Sequence, residues 1–286
     1  MAKNKPYSRL QGLLQSLGYD ESFEMPSVKP TLCAPYGDDL SPFGFKKVSW
    51  APYIWQGDVP LPKGHNLLSE HKVFAIGLAS ALTCLQLQLK PGAKVLDMCA
   101  APGIKSLYLQ ILHDRKLDMY VNDVSNERLI RLRSLFDQFK MPLPTFSNQP
   151  GQTLHMRYKP HYFDAVIIDA PCSGEGNALT GDVSALENWS MAKVKRLAQL
   201  QRKLLKTGFS LLKQGGDFIY ATCTLNPYEN EKVLAKAGAP VETIAEESLD
   251  FSTIPLNQAK RLIPSTNSIG FFVSRISPPQ NKQNFD

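Results

Sequence analysis

The sequence predicts an α/β fold: a mostly parallel sheet with helices on both faces, preceded by a small N-terminal subdomain. Three observations predict it. Short apolar runs bounded by turn residues recur from residue 93 onward, and helical segments separate them. The first run ends in a loop of small residues that opens a helix. Residues 1–65, in contrast, are rich in Pro and Gly and short of long periodic segments.

Taken in order, "SRLQGLLQSLG" at 8–18 fits a short helix closed by Gly18. "FKKVSWAPYIW" fits one or two strands interrupted by Pro52. The small and apolar residues near 74–87 predict a buried helix. Strands follow at 93–98, 118–123, 163–169, 215–222 and 269–276, with helices at 105–113, 126–139 and 191–213. The organisation is therefore an N-terminal subdomain over 1–65, a main domain over 66–276 and a polar tail over 277–286 that is expected to be disordered.

Composition narrows the class. The chain of 286 residues is 43% hydrophobic and 20% charged, ordinary for a soluble domain. No apolar run reaches the roughly 20 residues of a membrane span. The N-terminus lacks a signal-peptide core. Five cysteines (Cys33, Cys84, Cys99, Cys172, Cys223) are an odd number without Cys-x-x-Cys spacing, so reduced thiols, no metal and a cytoplasmic chain are the expectation. A monomer is expected. The net charge of +6 permits a nucleic-acid partner without requiring one.

Two features carry chemistry. "VLDMCAAPGIKSL" is a strand, a small-residue turn and a helix; at the carboxyl edge of such a sheet the backbone can approach a ligand closely. Asp123 ends the second strand 20 residues beyond Gly103, where a carboxylate can accept hydrogen bonds from ribose hydroxyls. The loop is neither a Gly-x-Gly-x-x-Gly fingerprint nor a P-loop, and a tight turn without a ligand also accounts for it. The second feature is a pair of cysteines. Cys172 in "IIDAPCSGEG" and Cys223 in "YATCTLNPYENE" each follow a strand and open a turn at that same edge. A buried small hydrophobe is the ordinary fate of a free Cys, and Cys33 and Cys84 fit it.

The segments "DMCAAPGIKS", "NDVS", "DAPCSGEG", "ALENWS", "ATCTLNPYENE" and "GFFVSR" occur in the order found in RNA cytosine-C5 methyltransferases of the Sun/RsmF type. The chain resembles that family over roughly residues 45–276. The resemblance implies a Rossmann-like, S-adenosylmethionine-dependent methyltransferase fold over 66–276 and an RNA-binding role for 1–65. It implies a cofactor loop of Cys99, Ala100, Ala101, Pro102, Gly103, Ile104 and Lys105. Asp123 would hold the cofactor ribose, and Asp169 would sit between cofactor and base. Cys223 would be the nucleophile and Cys172 would help release the product. Ribosomal RNA is the favoured partner, with transfer RNA and a catalytically weakened RNA-binding assembly factor as alternatives. DNA cytosine-C5 enzymes use the Pro-Cys cysteine as nucleophile and have no need of Cys223. The sequence departs from the pattern at Ile104, where the family prefers Gly or Ser, and at Gln149-Pro150, where an acidic residue usually faces the adenine. It also departs in "GLASAL", "NALTGDV" and "KPTLC".

Two cysteines suit this chemistry. C5 of cytosine is a poor nucleophile, and thiolate addition to C6 makes it enamine-like. A neutral Asp169 with a raised pKa would stabilise the charge at N3. The thiol needs a nearby cation, for which Lys105 is a candidate. For RNA, the helices at 191–213 and 126–140 are rich in Lys and Arg, and Phe43, Phe45, Trp50, Tyr53 and Trp55 lie among lysines. A solvated face is the better account of either helix by itself, and a small hydrophobic core accounts for the aromatics equally well.

Overall fold

The structure, a computed structural model, describes residues 12, 15, 27–178, 189–246, 258–262 and 265–276. The helix expected at 8–18 lies outside the described residues except at Gly12 and Gln15, both helical, and the 277–286 tail lies outside them entirely.

The N-terminal part is an antiparallel sheet of β1 (Thr31–Cys33), β2 (Phe45–Lys47), β3 (Ile54–Gly57) and β4 (Phe74–Ala75), in the order β2-β3-β1-β4. A short helix α1 (Asn66–Ser69) precedes β4, and α2 (Leu78–Leu85) follows it. Strand alternation divides the side chains of this sheet. Leu32, Phe45 and Trp55 form a small core of their own, while Cys33, Ile54 and Phe74 join the main core. The helix expected at 74–87 is thus a strand and a shorter helix. Phe74 and Ala75 pair with Cys33 and Leu32, and Gly77, in extended conformation, starts α2.

The main sheet has eight strands: β5 (Lys94–Asp97), β6 (Asp118–Asn122), β7 (Thr145–Ser147), β8 (Phe163–Asp169), β9 (Leu212–Thr222), β10 (Glu242–Glu246), β11 (Gln258–Leu262) and β12 (Phe271–Arg275). Their order is β10-β11-β12-β9-β8-β5-β6-β7. The run β7-β6-β5-β8-β9 is parallel, and β12 is antiparallel to both β9 and β11. The helices are α3 (Ile104–Leu112), α4 (Asn126–Gln138), α5 (Glu175–Ala178), α6 (Met191–Leu211) and α7 (Glu231–Lys236).

Both faces of the sheet are covered, which explains why its central strands read as continuous apolar runs. Val95, Val121, Ile167 and Ile219 pack with α2, α3 and α4 on one face. Leu96, Tyr120, Ile168 and Phe218 pack with α6 and α7 on the other. Truncating a fully buried side chain of either layer to Ala, such as Leu132 or Leu204, costs about 2–5 kcal/mol. Ser125 and Ser190 start α4 and α6, their hydroxyls accepting the Arg128 and Lys193 backbone N–H groups. Strand order reverses between β5 and β8, so the crevice at their carboxyl ends is where this architecture places a ligand.

Candidate active site

The carboxyl ends of β5, β6, β8 and β9 converge on one cavity of about 230 Å³. Cys99, Ala101, Asp123, Asp169, Cys172 and Cys223 all line it, residues from four separate loops. Register explains the meeting of the last three: Asp169 pairs with Ala221, so Asp169 and Cys223 end adjacent parallel strands.

The Sγ atoms of Cys172 and Cys223 are 3.0 Å apart. Asn177 donates through Nδ2 to Cys223 Sγ at 3.6 Å. Its hydrogen bond to Cys223 and then burial push the Cys172 thiol well above the ordinary range, and the nearby carboxylates Glu229 and Asp169 add to this. The sulfur of Cys223 thus lies within hydrogen-bonding reach of both the Cys172 thiol and the Asn177 amide.

A buried polar network locks the two cysteine loops together. Glu229 accepts the Ser173 backbone N–H at 3.1 Å and the Gln201 amide at 3.1 Å. Ser173 Oγ lies 2.6 Å from Glu175 Oε2 and also contacts Glu229, while Thr224 Oγ1 donates to Glu175. Trp189, from the "LENWS" segment, donates through Nε1 to Glu175 at 2.6 Å. Burial raises the Glu229 carboxyl to about 7 against the pull of its hydrogen bonds to Ser173, and neighbouring Glu175 raises it further. The loops also touch through glycine. A Cβ on Gly176 would lie 1.8 Å from the Gly270 carbonyl oxygen and 2.9 Å from that of Cys223. Only glycine fits there.

Lys105 is nearly buried and binds Asp169, Nζ to Oδ2, at 2.7 Å. Burial would push its pKa down, but the Asp169 carboxylate reverses the effect and holds it above the ordinary value. Lys105 is thus paired directly with Asp169. Asp97, behind the loop, is raised to about 6 by burial, against a 2.7 Å hydrogen bond from Ser106. Its Oδ1 is buried without a hydrogen-bond partner among the described residues.

The loop itself divides. Cys99 and Ala101 face the cavity, Ala100 is buried, Pro102 is exposed, and half-buried Ile104 packs against the core. Burial, and next the Asp97 carboxylate, raise the Cys99 thiol. Gly103 has φ of 105°, and a Cβ there would lie 2.5 Å from Leu132 Cγ, so it serves the turn and the packing of α4. Asp123 accepts the N–H groups of Ala101 at 3.3 Å and Ser125 at 3.0 Å, and pairs with Arg128 at 3.1 Å.

Sequence reasoning did not place Arg128, Gly151, Gln152, Leu200 and Leu204 in the site, and they too line the cavity. The offset of five residues between Asp123 and Arg128, across a Ser cap, was the available signal for Arg128. Gly151 and Gln152 begin the turn after β7, just beyond the Gln149-Pro150 position that lacks an acid. The Asp123 carboxylate, suited to ribose hydroxyls, and apolar walls from Leu200 and Leu204 fit a nucleoside such as S-adenosylmethionine.

Residues 84–277 match the family described as 16S rRNA methyltransferase RsmB/F. A ribosomal RNA small subunit methyltransferase F from Cronobacter sakazakii is 32% identical over 227 residues, which are 76% of this chain and 46% of that protein. Its counterpart from Vibrio cholerae (strain M66-2) is 38% identical over 139 residues, 49% of this chain and 29% of that protein. The chain thus spans less than half the length of these relatives. Among solved structures, a methyltransferase homologue from Pyrococcus horikoshii superposes with a TM-score of 0.71 at 23% identity, covering 94% of this chain and 99% of that one. NSun6 from the same organism, solved with the S-adenosylmethionine analogue SFG, gives 0.66 at 23% identity over 78% of this chain and 57% of that one. The fold is that of S-adenosylmethionine-dependent methyltransferases, and the chain belongs to the RsmB/F family.

Proposed function

We propose that this chain transfers a methyl group from S-adenosylmethionine to C5 of a cytosine in RNA, with ribosomal RNA as the substrate class, through a covalent bond between Cys223 and C6. The observation that carries the reading is the pair of sulfurs 3.0 Å apart on the wall of the cavity that also holds Asp123 and Ala101. The names of the relatives support ribosomal RNA.

Asp123 would hold the cofactor ribose, Cys99 and Ala101 its approach to the base, and Gly151, Leu200 and Leu204 the apolar end. When bound, the cofactor supplies an electrophilic methyl group on a sulfonium. The thiolate of Cys223 adds to C6, and the C5–C6 π electrons move toward C5 and N3. Asp169 would sit beside the base, and its partner Lys105, 2.7 Å away, would supply positive charge that offsets the negative charge developing at N3. C5 then takes the methyl group, its proton leaves to water, and the C6–S bond breaks with the electron pair returning to Cys223. The Cys172 thiol and the Asn177 amide donate to that departing sulfur, which makes it a better leaving group.

The two cysteines should therefore fail differently. Cys223→Ala should bind cofactor but give no methyl transfer and no RNA adduct. Cys172→Ala should transfer methyl once and stay joined to its RNA, seen as a slow-migrating band on a denaturing gel. An adduct in the Cys223 variant alone would exchange the roles. A wild type that methylates no RNA and variants that form no adduct would leave an RNA-binding factor in place of an enzyme.

A further inference from the structure

The two sulfurs on the cavity wall are close enough to react with each other. They stand 3.0 Å apart, and a disulfide closes at about 2.05 Å, so an approach of about 1 Å joins them. The backbone holds the two loops side by side around this pair. Two residues before each cysteine, the Ala170 N–H donates to the Ala221 carbonyl at 2.8 Å. Beyond them, the Gly176 N–H donates to the Cys223 carbonyl at 3.0 Å. Both neighbours of Cys172 are tethered as well: Gln201 donates to the Pro171 carbonyl at 2.8 Å, and Glu229 accepts the Ser173 N–H at 3.1 Å. Rotation of the two side chains can therefore bring the sulfurs into bonding range while the loops stay in place.

Access separates this pair from the other thiols. Cys172 and Cys223 are half-buried and line the cavity, so a small oxidant reaches them, whereas Cys33 and Cys84 are 0% exposed. A solitary accessible cysteine is oxidised first to a sulfenic acid and then irreversibly to a sulfinic acid. A second sulfur held this close intercepts the first product, because the fixed geometry replaces a bimolecular encounter.

We propose that Cys172 and Cys223 are an oxidation site: a hydroperoxide entering the cavity converts them to a reversible disulfide, which protects both sulfurs from irreversible oxidation. One sulfur attacks a peroxide oxygen; the S–O bond forms as the O–O bond breaks, and with hydrogen peroxide one water leaves. The other sulfur attacks the resulting sulfenic acid; the S–S bond forms as the S–O bond breaks, and the hydroxide departs with the thiol proton as a second water. Two thiols are oxidised to one disulfide, and one peroxide is reduced to two waters. A dithiol reductant reverses the change by exchange. That the disulfide also stops methyl transfer rests on the function proposed above, since it removes the free sulfur of Cys223.

The test treats the full-length chain with dilute hydrogen peroxide and follows it by intact mass and peptide mapping. The wild type should lose two hydrogens, yield a linked peptide pair containing Cys172 and Cys223, and return to its starting mass with dithiothreitol. Cys172→Ala should instead gain two oxygens at Cys223, and dithiothreitol should not remove them. Cys172→Ser, closer in size to the native residue, repeats the comparison. A wild type that gains oxygen at Cys223 as fast as these variants would overturn the proposal, and so would a disulfide that joins Cys99 to either cysteine. Methyl transfer by the wild type should be lost on oxidation and restored by the reductant. If the Cys172–Cys223 disulfide forms reversibly but methyl transfer persists in that form, or no RNA is methylated before or after reduction, the oxidation site stands and the catalytic proposal falls. If RNA is methylated but no disulfide forms, the catalytic proposal stands and the oxidation site falls.

Discussion

The two sides of the cavity are built differently. On the cysteine side, Ser173, Glu175, Thr224 and Glu229 are buried and joined by hydrogen bonds, and Gly176 sits against two carbonyls. On the other side, proposed to hold the cofactor, Asp123 is held by two backbone amides and one half-exposed guanidinium, that of Arg128. The comparison teaches where rigidity is needed. The proposed covalent chemistry would require two sulfurs at a fixed separation, and a dense buried network suits that. A diffusible cofactor requires acceptors that can exchange a protein partner for a ligand, so an open ion pair suits it.

The largest way to break this contrast is Gly176→Ala. The new methyl group has only backbone to displace, so the variant should lose at least about 3 kcal/mol of stability and spread the cysteines apart. Denaturant unfolding measures the first effect and adduct formation the second. A near wild-type melt would mean that the two loops are not in rigid contact. Next comes Asp123→Ala, which should weaken cofactor binding by about 1–3 kcal/mol in calorimetry. Undiminished affinity would remove Asp123 from the site.

Glu229 sharpens the comparison through pH. Its folded-state pKa of about 7 exceeds the ordinary 4.5, so the folded state binds its proton more tightly than the unfolded state does. The resulting stability is fully present below the ordinary value and is lost as pH rises through about 7. Melting temperatures of the wild type should therefore carry a falling component between about pH 5 and pH 8, and Glu229→Gln, which keeps a neutral hydrogen-bonding group, should flatten it. Parallel profiles for the two proteins would show that the carboxyl is already ionised in the fold. The smallest effect belongs to Arg128→Ala. A half-exposed ion pair contributes at most about 1 kcal/mol, so stability should barely change. A larger loss in thermal melts would mean that the cofactor side is as rigidly tied as the cysteine side.

Much of the parallel core was legible from local pattern. The runs at 93–98, 118–123 and 163–169 became β5, β6 and β8 within a residue at each end, because a strand buried on both faces must be apolar throughout. The strands β1, β7, β10 and β11 gave no such signal. They are short or at sheet margins, where partial exposure admits Lys, Arg, Glu and Gln. The aromatics around Lys46 and Lys47 were ambiguous in sequence and divided in the fold. Phe45 and Trp55 are core, whereas Phe43 and Tyr53 are 44% and 40% exposed.

By itself, the sequence determined the alternation of the central strands and helices, the small-residue loop, the position of Asp123 and the placing of two cysteines after strands. Each is a property of neighbours along the chain. Only the tertiary structure decided that Lys105 binds Asp169, that Arg128 reaches Asp123, and that Asn177 and Cys172 both approach the sulfur of Cys223. The Lys105–Asp169 and Cys172–Cys223 pairs lie 64 and 51 residues apart in the chain. Parallel strand register brings the ends of distant strands together, and no local periodicity records which side chains will then touch.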